Sequence, residues 1–285
     1  MSEPFTAFNF LVEIALPGAP EPLCGAAFAE CEGLELRFDV RTLREGGNPG
    51  AQVLLPGHAS YGQVTLRRGM TPSFDLWDWC SAVLHDPGVR ADAAITLLSD
   101  DREVRARFLL RRCLPVRLRA PRLDAVDGVI AIEELQLACE AMVHQRPDGD
   151  SPAPPSVSRK AELRELDSRL AREINPDRAT QVQLNPQDLR VVTTVADGTR
   201  RRRLALELWF DVTLAGRGDD DVRRLTDRVA YFAGAQDGAP RPVRLQWGTF
   251  RFDGFVESLE EELDLFSPDG RPLRSRLALT MRAPS

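Results

Sequence analysis

Polar and apolar residues alternate through most of this chain, the signature of strands with one buried face. In YGQVTLRRG (61–69) Val64 and Leu66 alternate with polar neighbours. In EVRARFLL the residues Val104, Ala106, Phe108 and Leu110 share a face, and in RLALELWFDV so do Leu204, Leu206, Leu208 and Phe210. AAITLLS, VRLQWG, FRFDGFVESLEEELDLF and RSRLALTMRA also read as strands, and VIAIEELQLACEAMV reads as one long closing strand. Helical spacing occurs in three places. SFDLWDWCSAVL offers Ser73 as N-cap and sets Phe74, Trp77 and Leu84 on one stripe. DDDVRRLTDRVAYFAG places three aspartates near its positive end, Gly234 at its close, and Val222, Leu225, Val229 and Phe232 on its inward side. KAELRELDSRLAREI spaces Leu163, Leu166, Leu170 and Ile174 as a short amphipathic helix.

The order of these elements repeats. Each half runs strand, helix, strand, turn, strand, closing strand, as if one domain had been used twice. Between the halves, QRPDGDSPAPPSVSRK (145–160) has no apolar period and reads as a linker. The expected organisation is a β domain over 1–146, a linker with the amphipathic helix over 147–175, and a second β domain over 176–285. The fold class is mainly β with one helix per domain, two tandem β-sandwich or barrel domains joined by a linker and short helix. The linker helix either lies on its own domain or clips onto a neighbouring subunit.

Composition narrows the chemistry. The 285 residues are 43% hydrophobic and 28% charged, ordinary for a soluble globular protein. No apolar run reaches bilayer length and MSEPFTAFNF lacks a secretory pattern, so cytoplasmic assembly without membrane insertion is expected. The five cysteines (24, 31, 80, 113, 139) lack CxxC spacing and are expected to be reduced. Charge is uneven: residues 1–150 hold 15 Arg against 22 Asp and Glu, whereas 151–285 hold 22 Lys and Arg against 21. Lys160 is the single lysine, so arginine abundance reflects general usage, and RRRR at 200–203 reads as a solvated strand edge in preference to a nucleic-acid patch.

No catalytic constellation emerges. The glycine-rich stretch at 46–50 lacks the lysine and hydroxyl of a phosphate loop. His58, His85 and His144 lack metal-ligand spacing, and His85 suits a helix C-terminus. In ESLEEELD, Ser258, Glu260, Glu262 and Asp264 alternate with leucines, with Glu261 breaking the pattern, so a solvent-facing strand side is expected. No catalytic residue, cofactor or metal site is assigned. What remains are features of assembly: long strand edges that need covering, and polar residues such as Arg105, Arg107, Glu207 and Asp211 that would line a wet channel or face bulk solvent.

FNFLVEIALPG, CGAAFAECEGLELRFDVRTLREGGNPGAQVLLPGHASYGQVTLRRGM, LWDWCSAV and AIEELQLACEAM, over about 5–144, resemble the inner-tube protein family of contractile phage tails and phage-tail-like injection systems. LNPQDLRVV, LALELWFDVT and LQWGTFRFDGFVESLEEELDLFSPDGRPLRSRLALTMRA, over about 176–283, resemble the baseplate tube-adaptor that lies between spike hub and tube. Members of that family often carry a LysM module, which is not expected here. The resemblance implies six-subunit rings whose strands join in one barrel around a channel for cargo. It assigns Arg44, Glu45, Gly46, Gly47 and Asn48 to a contact with the neighbouring subunit or ring, where glycines let the backbone lie flat on a partner.

The implied role is a structural baseplate tube initiator or adaptor. Its partners would be other copies of itself, the inner-tube protein, the spike or hub protein, and sheath or baseplate proteins. Three chains would give a pseudo-six-fold collar and six chains two stacked layers; the adaptor-like second half favours stacking. The alternatives are a tube terminator or cap, and, from another class, a cell-wall hydrolase using Glu260 and Glu262.

Overall fold

The computed structural model describes residues 9–26, 28–43, 52–123, 130–146, 158–215, 221–236 and 238–284. The chain divides into two compact units, Met1–Pro155 and Ser156–Ser285. Unit one contains β1 (Phe10–Ala15), β2 (Cys24–Ala26), β3 (Glu30–Glu32), β4 (Leu36–Leu43), β5 (Val53–Tyr61), β6 (Val64–Gly69), α1 (Asp75–His85), β7 (Ala91–Leu98), β8 (Val104–Arg119), β9 (Ile132–Ala138) and β10 (Ala141–Gln145). Its antiparallel sheet runs β2-β1-β7-β8-β9-β6-β3, with β10 also on β8.

Unit two contains β11 (Glu162–Glu165), β12 (Thr180–Gln181), β13 (Leu189–Ala196), β14 (Thr199–Asp211), α2 (Arg223–Ala233), the short pair β15 (Ala235–Gln236) and β16 (Ala239–Pro240), then β17 (Pro242–Trp247), β18 (Phe250–Leu263) and β19 (Arg274–Arg282). Its sheet runs β12-β11-β17-β18-β19-β14-β13. The two paths correspond strand for strand. In each unit the first strand pairs with the fifth of the path's chain order, and the helix follows the strand beside one edge (β6, β14) and precedes the strand third from the other edge (β7, β17). The repeat read from the sequence is therefore a repeat of topology.

Alternation builds both cores. β6 buries Val64, Leu66 and Arg68; β14 buries Leu204, Leu206, Leu208 and Phe210. Each leucine so enclosed contributes roughly 1.5–3 kcal/mol. α2 covers its sheet with Val222, Val229 and Phe232, as its periodicity predicts, and Leu225 packs alongside.

Three local expectations are corrected. Residues 160–174 form no helix. Ala161, Leu163 and Glu165 point inward with strand period, β11 pairs with β17 and β12, and Leu170 (φ 53°) and Asn175 (φ 49°) adopt left-handed backbone that no helix continues through. Leucines at helical spacing were overruled by an open place in the sheet, the one β1 fills in unit one. The closing strand of unit one is two strands, β9 on β6 and β8, then β10 on another stretch of β8, separated at Cys139–Glu140. Finally, the cap of α1 lies one residue later than Ser73: Phe74 is the cap, at φ 53°, the helix begins at Asp75, and Ser73 Oγ instead bonds Thr71 Oγ1 at 2.8 Å. The buried stripe of α1 is Leu76 and Trp79, whereas Phe74 and Leu84 are exposed.

Candidate assembly interface

One element of unit one belongs to no core. β4 and β5 form a separate two-stranded sheet. In register, Leu36 faces Tyr61, Phe38 faces Ala59, Val40 faces Pro56 and Thr42 faces Leu54, which gathers an apolar row on one side. The other side pairs Arg37 with Ser60, Arg41 with Leu55 and Leu43 with Val53. A bulge sets Gly57 and His58 against Asp39 and adds twist midway. Phe38, Val40 and Leu54 are 57%, 58% and 57% exposed. A lone two-stranded ribbon is marginal in water, and apolar side chains in a row on its open face mark a surface that gains from being covered.

The root of this ribbon is pinched. Gly33 has φ 87°, and a Cβ there would lie 2.1 Å from the Gln63 carbonyl oxygen; the Gly62 amide donates to the Glu35 carbonyl at 2.9 Å. The ribbon thus leaves the sheet through a crossing that a side chain at residue 33 would block. At its far end, Arg44, Glu45, Gly46, Gly47 and Asn48, assigned to a contact by resemblance, lie outside the described residues.

Unit two projects a ribbon from the same place in its topology. β13 and β14 overhang the sheet beyond Arg203, which faces the last β19 residue, Arg282. Asp197 (φ 51°) and Gly198 (φ 74°) close the overhang as a tight two-residue turn that matches strand twist. This ribbon is shorter and carries Arg200–Arg203 opposite Val195, Thr194, Thr193 and Val192. The other proposed contact residues behave differently: Leu163 and Leu166 are fully buried within unit two, and Leu170 and Ile174 are half-buried in the following loop.

Buried ion pairs that the sequence reading missed hold each helix to its sheet. Arg68, on the inward side of β6, donates through Nε to Glu133 Oε1 at 2.7 Å and also pairs with Asp75, the first residue of α1. Trp77 Nε1 donates to the same Glu133 at 3.3 Å. In unit two, Glu165 accepts from Asn175 Nδ2 and Tyr231 Oη, each at 2.9 Å, and pairs with Arg241. Burial alone would raise the Asp75 and Glu165 carboxyls, but these donors outweigh it and hold both below their ordinary values. The clue was present as charged residues on the apolar phase of β6 and β9, an arginine directly across from a glutamate.

Among the other flagged residues, Arg107 pairs with Glu13 and Arg105 with Glu103, all at the surface. Glu207 is exposed on the same sheet side as Trp209, whereas Asp211 is buried and accepts from Thr213 and Arg274, so it lines no channel. His85 Nδ1 bonds the Ser81 carbonyl at 2.7 Å at the end of α1. The five cysteines are reduced thiols, with Cys24 Sγ accepting from Arg68 at 2.7 Å, and burial pushes Cys31 up to about 11 and Cys113 up to about 12, which keeps those two protonated and inert. A cleft of about 780 Å³ lies between α2 and the turn at Asp177–Thr180, but its Thr180 hydroxyl is committed to the Arg178 carbonyl. Glu260 and Glu262 stand exposed on an open sheet face. Among the described residues no cluster of His, Cys, Asp and Glu could hold a metal, and no helix is long and apolar enough to cross a membrane.

Residues 6–143 match the family of the T4-like virus tail tube protein gp19, and residues 158–284 match the contractile injection system tube protein family. The chain is two tube-protein modules in tandem. It is a structural component of a contractile injection system, of the phage-tail-like tube and baseplate type. Similar solved structures include a chain of the anti-feeding prophage baseplate, 6-fold symmetrised, at 28% identity over 52% of this chain and 99% of that one, with a TM-score of 0.48. A chain of the PVC extracellular contractile injection system, in its sheath/tube terminator, aligns at 26% identity over 50% and 98%, TM-score 0.43. Another, from the PVC sheath-tube complex, aligns at 25% over 50% and 92%, TM-score 0.43. Among curated proteins none matches the chain.

Proposed function

We propose that this tandem protein is a baseplate tube initiator or adaptor, connecting the spike hub to the inner tube and lining the channel through which cargo passes. One observation carries the reading: a single chain holds two modules of equal topology, one from each of two tube families. A repeating tube needs only one module per subunit, so a fused pair fits a junction of fixed length. Tethering raises the effective concentration of each module for its layer. Six chains stacked as two layers is the arrangement adopted in this reading, with the apolar β4–β5 ribbon covered by a neighbouring subunit or ring, and with Arg44, Glu45, Gly46, Gly47 and Asn48 contributing to that contact. The particle assembles in the cytoplasm, and the work is done by shape and contact, without catalysis.

Locating the chain in intact particles by cryo-electron microscopy tests this. Density for both modules between hub and first tube ring is expected. Density at the distal end instead identifies a terminator or cap, and particles that contain none of the chain overturn the proposal.

A further inference from the structure

Two of the five thiols face each other across the unit-one sheet. Register sets Arg111 opposite Ala141 and Leu114 opposite Ala138, so between them Arg112 stands opposite Glu140 and Cys113 opposite Cys139. Arg112 Nε donates to Glu140 Oε2 at 2.9 Å, and the Glu140 amide donates to the Arg111 carbonyl at 3.0 Å. These bonds hold the alignment across the break between β9 and β10. Strand phase turns both sulfurs inward: Cys139 follows buried Leu135 and Leu137 on alternate positions, and both cysteines pack in the same core cluster. Opposed residues of an antiparallel pair have Cα atoms about 4.5–5.5 Å apart, within the span that a disulfide bridges. Burial, and after it the neighbouring Cys139 thiol, push Cys113 up to about 12, an influence that requires the two groups to be close. Among the described residues no other cysteine stands opposite a cysteine. Cys24 faces Ile14 and accepts from Arg68, Cys31 faces Leu66, and Cys80 is on α1.

We propose that Cys113 and Cys139 are a latent disulfide site, a dithiol as the chain folds and closed by a small-molecule disulfide once the protein meets an oxidising environment. Cys139 reacts first, because it is half-buried whereas Cys113 is enclosed. Its thiolate attacks one sulfur of the reagent, breaks that S–S bond and releases one small thiolate, which takes up a proton. Cys113 is inert toward reagents in solution, but the sulfur now activated lies directly across the strand pair. As it gives up its proton, Cys113 Sγ attacks Cys139 Sγ, forms the bond between them and expels the second small thiol. The two protein thiols lose two electrons in all, and the reagent is reduced to two thiols. The product ties β8 covalently to the break between β9 and β10. Because the link also constrains the unfolded chain, oxidation hardens unit one.

The test incubates the folded full-length chain with glutathione disulfide, quenches with acid and counts thiols in denaturant. The count is expected to fall from five to three, with a mass lower by two hydrogens. A tryptic digest is expected to yield a Cys113–Cys139 crosslinked peptide that dithiothreitol separates. The oxidised chain should melt about 5 °C above the reduced one. That gain should be absent from Cys139→Ser, whose fold circular dichroism reports, and the crosslink map on the wild type decides the matter independently of the variant. Five thiols after prolonged exposure overturn the proposal, as does a mixed disulfide left unresolved on Cys139. A crosslink between other cysteines or between chains overturns it too, and so does a wild-type melting temperature that oxidation fails to raise.

Discussion

At the residue scale, the inward ion pairs of Arg68 with Glu133 and Asp75, and of Glu165 with Arg241, are costly to break, because removing one partner leaves a buried charge unmatched. Glu165 is enclosed and takes three donors from a loop, a helix and a strand end. Glu165→Gln leaves the Arg241 guanidinium beside a neutral amide, and the expected cost to unit two is about 3 kcal/mol in chemical denaturation. A cost below 1 kcal/mol would show that Tyr231 and Asn175 hold the site unaided. Because Glu165 and Asp75 are held below their ordinary values of 4.5 and 3.8, their contribution is fully present above those values. It is lost as pH falls through them toward the folded-state values. Calorimetry should therefore find a flat melting temperature from neutrality to about pH 5 and a fall below it, with a shallower acid limb in Glu165→Gln. An acid limb unaltered by that substitution would place the acid sensitivity elsewhere.

At the element scale, the β4–β5 ribbon separates folding from assembly. Phe38→Ser with Val40→Ser removes apolar surface that touches no core, so unit-one stability should change by no more than about 0.5 kcal/mol. The same variant should lose association with itself or with tube protein in co-sedimentation. Retained association would mean that the covered surface lies elsewhere. Elements with one buried face were legible beforehand, as Val64 and Leu66 on β6, Leu204 to Phe210 on β14 and the α2 stripe show. The ribbon was not read, although Leu36, Phe38 and Val40 alternate with Arg37, Asp39 and Arg41 on β4, because alternation does not reveal that both faces are exposed and Pro56 interrupts β5. The sequence drew attention only to the glycine-rich stretch at 46–50, which the resemblance assigned to a contact. Residues 160–174 misled for the opposite reason: Leu163 and Leu166 satisfy helical spacing while the sheet takes Ala161, Leu163 and Glu165 on alternate positions.

At the scale of the whole molecule, two units with one topology carry ribbons of opposite character at equivalent sites, one apolar and one cationic. One topology serves both units, and their ribbons present two surfaces of different chemistry. In the proposed role both ribbons, which extend beyond the cores, are covered by neighbours. The most direct measurement is the mass of the purified full-length assembly. The account predicts one closed species, six chains of 31.7 kDa at about 190 kDa or, in the pseudo-six-fold arrangement, three at about half that. A single 31.7 kDa particle at every concentration, unaltered by added tube and hub proteins, would contradict it.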